Sequence, residues 1–143
     1  MTGDDPELGQ DRRRIGRSWL NHATEDLRIA RVCMDVTPPS LGTAAYLCQQ
    51  AAEKAVKGLL VMADVPFTKT HDLQRLGTLA AARYPECAAT LLAVHGLTAW
   101  NFVFRYPGLD DDIEPSPDEL AAAMQPIGVL LQALASSLAA ADH

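Results

Sequence analysis

The fold is decided by one stretch in the first half of the chain: Tyr46-Leu47-Cys48-Gln49-Gln50-Ala51-Ala52-Glu53-Lys54-Ala55-Val56-Lys57-Gly58-Leu59-Leu60. Apolar side chains recur in it at steps of three and four residues, which is the spacing of one face of an α-helix. The pattern predicts a helix from about Thr43 to Ala63. Its expected inner face consists of Ala44, Leu47, Cys48, Ala51, Ala55, Leu59 and Met62.

Helical spacing also precedes and follows this stretch. A first helix is predicted from about Asp11 to Asp35, with an inner face of Ile15, Trp19, Ala23, Leu27 and Ala30. The segment 36–42 holds two prolines and a glycine, which cannot continue a helix. A short third helix is expected to start at a cap, either Thr70 or Asp72, and to end near Arg83.

Two further helices complete the prediction. Pro85 is expected to start a fourth helix that ends at Arg105-Tyr106-Pro107-Gly108. Its expected inner positions are Ala88, Leu91, Leu92, His95, Ala99 and Phe102, and His95 is expected to be buried. Ser116-Pro117-Asp118-Glu119 is a capping box that starts a last helix. The inner face of that helix is expected to be Leu120, Met124, Ile127, Leu131, Leu134 and Leu138.

Length and charge define the class of protein. The chain has 143 residues and no internal repeat, which predicts a single domain with a polar N-terminal tail at about residues 1–10. The predicted fold is all-α, an up-and-down bundle of about five helices. A net charge of −6 argues against DNA binding, which needs a broadly basic surface. No signal peptide or apolar run of about 18 residues is apparent, so we expect a cytoplasmic protein with no membrane contact.

Cysteine and histidine usage gives no indication of a cofactor. Cys33, Cys48 and Cys87 form no CxxC pair, and reduced thiols are the expectation. No His/Cys spacing suits zinc and no Glu-x-x-His pair suits a di-iron centre. The chain also lacks a glycine-rich phosphate loop. We therefore expect no cofactor and no metal.

Two polar clusters are candidate binding sites. Gln50, Glu53, Lys54 and Lys57 stand three or four residues apart and share a helix face, where a basic pair could bind a phosphate or a partner's carboxylate. The alternative is a solvated face with an intrahelical ion pair. Lys69 and His71 precede the third helix, where an anion is favoured by the helix dipole. There the alternative is a loop ordered by capping and backbone hydrogen bonds.

Three segments together resemble the HEPN domain family. They are the helix 46–60, the junction Lys69-Thr70-His71-Asp72-Leu73 and the later Arg105-Tyr106-Pro107, and Trp19, Ala23, Asp26 and Leu27 resemble the family's opening pattern. The resemblance extends from about Trp19 to Leu138. It implies a helical bundle that pairs as a homodimer and acts near nucleotides or RNA. An exposed set of aromatic residues would suit a dimer interface or, as the alternative, a base-stacking surface, and four lie close together: Trp100, Phe102, Phe104 and Tyr106.

The same resemblance raises the question of catalysis. Many HEPN proteins accompany a small nucleotidyltransferase as toxin–antitoxin partners, and the toxic members are metal-independent ribonucleases in which four to six residues separate an arginine from a later histidine. Here the positions after Arg105 hold Asp110, Asp111 and Asp112. Three carboxylates repel an approaching phosphate. The sequence therefore favours a protein that is not an enzyme.

The leading hypothesis is a non-catalytic HEPN-type bundle that binds a nucleotide or a nucleotidyltransferase-like protein partner. Five side chains would supply positive or donor groups to phosphate: Lys54, Lys57, Lys69, His71 and Arg105. Gln50 and Tyr106 would contact the rest of the ligand, and Glu53 would orient Lys57. Two alternatives stay open, a ribonuclease toxin that uses Arg105 with another base and a dimeric protein-interaction module with no small ligand.

Overall fold

In the computed structural model the fold is described for residues 6–100 and 115–141. It is all-α in this part of the chain, as predicted, with no strand among the described residues. The helices are α1 (Pro6–Asp35), α2 (Leu41–Met62), α3 (Leu73–Arg83), α4 (Ala88–Val94) and α5 (Pro117–Ala141). Short 3₁₀ turns, Pro85–Cys87 and His95–Leu97, flank α4.

The central helix of the bundle is α2, which contacts α1, α3 and α5. Ala44, Cys48, Ala51, Ala55 and Leu59 are buried as the periodicity predicted. Most of its remaining surface is buried as well, including Ala52, Val56 and Leu60. Because α2 is enclosed on several sides, its polar residues also lie inside the bundle.

The first helix begins at Pro6 rather than near Asp11, so residues from Pro6 onward in the expected N-terminal tail are helical. Ala23, Leu27 and Ala30 are buried as predicted, whereas Ile15 is 40% exposed. The neighbouring residue Gly16 is buried instead, and a Cβ added to it would lie 2.7 Å from the Met62 sulfur. The close approach of Gly16 to α2 turns the adjacent Ile15 side chain outward.

Close packing also requires a glycine in α2. A Cβ at Gly58 would lie 2.5 Å from Leu134 Cδ2 and 3.1 Å from Trp19 Cβ. Leu134 belongs to α5 and Trp19 to α1. The absence of a side chain at Gly58 therefore lets both neighbouring helices reach α2.

The start of α3 is capped by Asp72, one of the two predicted caps. Its carboxylate accepts hydrogen bonds from Gln74 N at 3.0 Å and Arg75 N at 3.3 Å. The other candidate, Thr70, supports the cap by accepting a hydrogen bond from Asp72 N at 3.1 Å. Asp72 therefore caps the helix, and Thr70 holds the backbone of Asp72.

The fourth helix differs most from its prediction. Leu91, Val94 and Leu97 are the buried positions, while Leu92 is 67% exposed and His95 is only partly buried. Ala88 and Ala99, also expected inside, are exposed. The 3₁₀ turn that follows α4 has three residues per turn, so Leu97 follows Val94 on the buried face, where the 3.6-residue period had placed His95 and Ala99. Phe102 and the predicted end at Arg105 lie outside the described residues.

For the last helix, the predicted start and most of the predicted inner face are confirmed. Ser116 Oγ accepts from Glu119 N and Glu119 Oε1 accepts from Ser116 N, both at 3.1 Å. This reciprocal pair is the predicted capping box. Five of the predicted inner positions are buried, with Leu130 in place of Leu131: Leu120, Met124, Ile127, Leu134 and Leu138.

By length and composition alone, α5 qualifies as a membrane-spanning helix. It has 25 residues, and its most apolar window has a mean hydropathy of 1.3. Core helices of soluble proteins meet the same criteria, and 33% of that window is buried inside the bundle. This is weak evidence for a span, and the expected absence of membrane contact stays a prediction.

Candidate functional site

A polar cluster lies inside the bundle on α2. Gln49, Glu53 and Lys57 are 0%, 3% and 8% exposed, and they follow one another at intervals of four residues on one helix face. Glu53 and Lys57 were predicted to share a face, with a solvated surface as one alternative. That alternative is wrong for these two residues, because both are buried.

The carboxylate of Glu53 is the centre of this cluster. Its Oε2 lies 3.5 Å from Lys57 Nζ, which confirms the predicted intrahelical pair. Its Oε1 accepts a hydrogen bond from Gln49 Nε2 at 3.3 Å and lies 2.7 Å from His71 Nδ1. A buried carboxylate is costly unless it is paired and hydrogen-bonded, and Glu53 has both kinds of partner.

His71 connects this buried centre to solvent. The Glu53 side chain is 4% exposed, whereas the His71 side chain is 51% exposed. An ionised carboxylate can only accept a hydrogen bond, so the ring nitrogen that faces Glu53, His71 Nδ1, is the donor and carries a proton. The other ring nitrogen of His71, Nε2, is not engaged by Glu53. The backbone of His71 is held from another element, because Thr98 Oγ1 donates to its carbonyl oxygen at 3.3 Å.

Lys57 has a second neighbour across the helix interface. Its Nζ lies 5.8 Å from the centroid of the Trp19 ring on α1, within the range of a cation–π interaction. Lys57 is therefore held between the carboxylate of Glu53 and the face of an aromatic ring. These contacts leave little of its ammonium group for a ligand.

Lys54 belongs to a different contact. Its Nζ lies 2.6 Å from Asp26 Oδ2, and this pair joins α2 to α1 with both side chains still partly exposed, 24% for Lys54 and 17% for Asp26. Lys54 was predicted to bind phosphate together with Lys57. In the structure each of the two lysines has a carboxylate partner of its own.

The remaining predicted site residues lie at the surface or outside the described part of the chain. Gln50 is partly buried and donates from Nε2 to Gln49 Oε1 at 2.7 Å. Lys69 is exposed, and within residues 6–100 and 115–141 it has no ion pair. Arg105 and Tyr106 lie outside the described residues.

Three residues contribute to the site without having been predicted: Gln49, Asp26 as the partner of Lys54, and Thr98. The signal for Gln49 was present, since it precedes Glu53 by four residues just as Glu53 precedes Lys57. The bond from Thr98 has no local signal, because Thr98 and His71 are 27 residues apart. Only the tertiary fold brings those two together.

The thiol beside this cluster is shielded. Burial raises the pKa of Cys48 to about 12. Such a thiol is protonated at neutral pH and is a poor nucleophile. Among the described residues, no group of three or more His, Cys, Asp or Glu side chains could hold a metal ion.

These features define a class: an all-α bundle whose central helix buries an ion pair, with a histidine linking that pair to the surface. Comparison with known families identifies the class. The HEPN domain model matches residues 17–135, and the chain belongs to that family. No curated protein and no solved structure matches the chain significantly.

Proposed function

We propose that the chain is a non-catalytic HEPN-type bundle that binds a nucleotide in the cytoplasm, with His71 contacting its phosphate. The observation behind the proposal is the contact of His71 Nδ1 with the buried Glu53 at 2.7 Å, on a side chain that is half exposed. When one ring nitrogen of a half-exposed histidine is held by a carboxylate, the other ring nitrogen can bind a ligand.

Charge favours a phosphate at this position. When His71 is protonated, Nδ1–H donates to Glu53 and Nε2–H is a charge-assisted donor for a phosphate oxygen. Lys69, two residues earlier, adds a second exposed cation. Gln50 lies on the helix that carries Glu53 and offers an amide to the sugar or base. In this proposal Lys54 and Lys57 neutralise Asp26 and Glu53 instead of binding phosphate, which revises their predicted role.

The family's arginine segment is the second part of the proposed site. Arg105 and Tyr106 are retained as a phosphate contact and a base contact on the ground of the family resemblance alone. Asp110, Asp111 and Asp112 occupy the positions of the ribonuclease histidine. No histidine stands there to move a proton, which argues against cleavage.

The proposed partner in the cell is a nucleotidyltransferase-like protein, as one half of a toxin–antitoxin pair. Its support is membership of the HEPN family, many members of which accompany such a protein. Affinity purification of the chain from its own cells tests this proposal. Co-purification of a nucleotidyltransferase would support it, and recovery of the chain alone at physiological salt would count against it.

Thermal-shift titration with ATP, GTP, their mono- and diphosphates and a short RNA tests nucleotide binding. A ligand at about 100 times its dissociation constant adds about 2.7 kcal/mol to stability, which corresponds to several degrees. We expect such a shift for wild type and its loss in His71→Gln and Lys69→Gln. Arg14→Gln, which removes an exposed cation on α1, is the matched control and should keep the shift.

Equal shifts in wild type and both variants would remove His71 and Lys69 from the site, and a wild type indifferent to every nucleotide would refute the binding function. RNA cleavage that Arg105→Ala abolishes would instead establish the ribonuclease.

A further inference from the structure

A groove of about 650 Å³ lies between the connection that follows α2 and the outer face of α3. Phe67 lines it from the connection, and Leu76 and Leu79 line it from the helix. Leu76 is buried at its base, while Leu79 is exposed. The volume falls within the range of about 300–1,000 Å³ that is typical of small-molecule sites.

The groove is separate from the proposed nucleotide site. Thr70 and Asp72 line it, whereas His71 between them turns the other way and contacts Glu53. Lys69 is not part of the lining either. A molecule in the groove therefore lies on the opposite side of the connection from the exposed edge of His71.

Three of the polar side chains in the groove already have hydrogen-bond partners, whereas its one cation has none among the described residues. Asp72 accepts two backbone N–H groups, Thr70 Oγ1 accepts from Asp72 N, and Thr78 Oγ1 donates to Gln74 O. Arg75 is exposed, and its guanidinium has no ion pair or hydrogen bond with any residue that the structure describes. The groove thus combines an apolar wall with one positive charge that has no partner there.

We propose that this groove binds a small anionic molecule with an apolar ring system. The rings would lie against Phe67, Leu76 and Leu79, and the acid group would pair with Arg75. Apolar pockets obtain affinity from the buried surface and orientation from a few placed polar groups. The guanidinium of Arg75 is well suited to orient the ligand, because guanidinium binds carboxylate, sulfonate or phosphate oxygens in a bidentate geometry.

The probe for the test is 1-anilinonaphthalene-8-sulfonate, an aromatic anion whose fluorescence rises in apolar surroundings. We expect saturable binding to the full chain at one site. Arg75→Gln should weaken it about tenfold, because a charge-assisted hydrogen bond is lost. Thr78→Trp should abolish it by filling the groove. Arg83→Gln removes a cation from the same helix outside the groove and should bind as wild type does.

An uncharged probe separates the two parts of the proposal. N-phenyl-1-naphthylamine has the same rings without the acid, so it should bind wild type and Arg75→Gln equally and Thr78→Trp poorly. Unchanged melting temperatures of the variants confirm that they are folded. Equal binding of the sulfonate by wild type, Arg75→Gln and Thr78→Trp would overturn the proposal. Loss of sulfonate binding as the chain self-associates would also overturn it, because a second copy would then be the occupant.

The outcome is independent of nucleotide binding. His71→Gln should leave sulfonate binding unchanged, and Arg75→Gln should leave any nucleotide shift unchanged. A failure of one proposal can therefore be recognised without reference to the other.

Discussion

At the scale of single residues, the most constrained charge is the buried carboxylate of Glu53. It is balanced by Lys57 and receives hydrogen bonds from Gln49 and His71. Removing one partner of a buried pair leaves the other charge uncompensated, which costs several kcal/mol. The main role of Lys57 is therefore structural.

Lys57→Met tests that conclusion. We expect a loss of about 3 kcal/mol in the free energy of unfolding, because the buried carboxylate of Glu53 loses its cationic partner. The more exposed pair of Lys54 with Asp26 is the control, and Lys54→Met should cost only about 1 kcal/mol. The double variant Glu53→Gln/Lys57→Met should regain part of the loss. Urea unfolding measures all four proteins, and a Lys57→Met variant as stable as wild type would contradict the buried pair.

Cys48 yields a prediction with a defined sign. Burial raises the pKa of its thiol from 9.0 to about 12, so the folded state holds the proton more tightly than the unfolded chain. Its contribution is fully present below pH 9 and is lost as the pH rises toward 12. Wild type should therefore lose up to about 1.4 kcal/mol per pH unit more than Cys48→Ala across that window. Urea unfolding at several alkaline pH values measures the difference, and parallel curves would contradict it.

At the scale of the elements, the long helices were predictable and the short ones less so. The capping box of Ser116 and Glu119 fixes the start of α5 because it is a local pair. In α4 the 3₁₀ turn changes the period, which no local residue type announces. The candidate site divides in the same way. The pair of Glu53 and Lys57 follows from helical spacing, but its burial depends on how three helices enclose α2.

The contact between Glu53 and His71 shows the limit of prediction from spacing. Both residues were singled out from the sequence, yet they belonged to two separate clusters. They are 18 residues apart, and the connection between α2 and α3 determines whether they meet. A residue pattern identifies polar groups on one element, whereas a site assembled from two elements requires the fold.

Gly58 gives a prediction for helix packing. Alanine is the better helix former by about 1 kcal/mol, but its Cβ would overlap Leu134 Cδ2. Overpacking of a core contact costs about 1–3 kcal/mol, so Gly58→Ala should be net destabilising. Gly128 on α5 has open space around its Cβ position, and Gly128→Ala should stabilise by about 0.5–1 kcal/mol. Chemical denaturation of both variants measures the contrast, and a stabilised Gly58→Ala would show that Leu134 gives way.

At the scale of the whole molecule, apolar side chains remain at the surface on several helices. Leu8 and Ile15 are exposed on α1, Leu92 on α4 and Val129 on α5. Single exposed apolar residues are normal, but α1 also has a groove of about 780 Å³ beside Leu8 and Ile15. The family resemblance implies a homodimer, and an apolar surface of this kind favours one.

Self-association is therefore our last prediction. A homodimer that binds only the folded chain stabilises it by mass action, so the melting temperature should rise with protein concentration. Sedimentation equilibrium should give a mass above the 15.4 kDa of one chain. Ile15→Glu should shift the equilibrium toward the monomer if the interface includes α1, while Leu92→Glu tests α4 in the same way. A 15.4 kDa species at every concentration, with a constant melting temperature, would contradict the dimer.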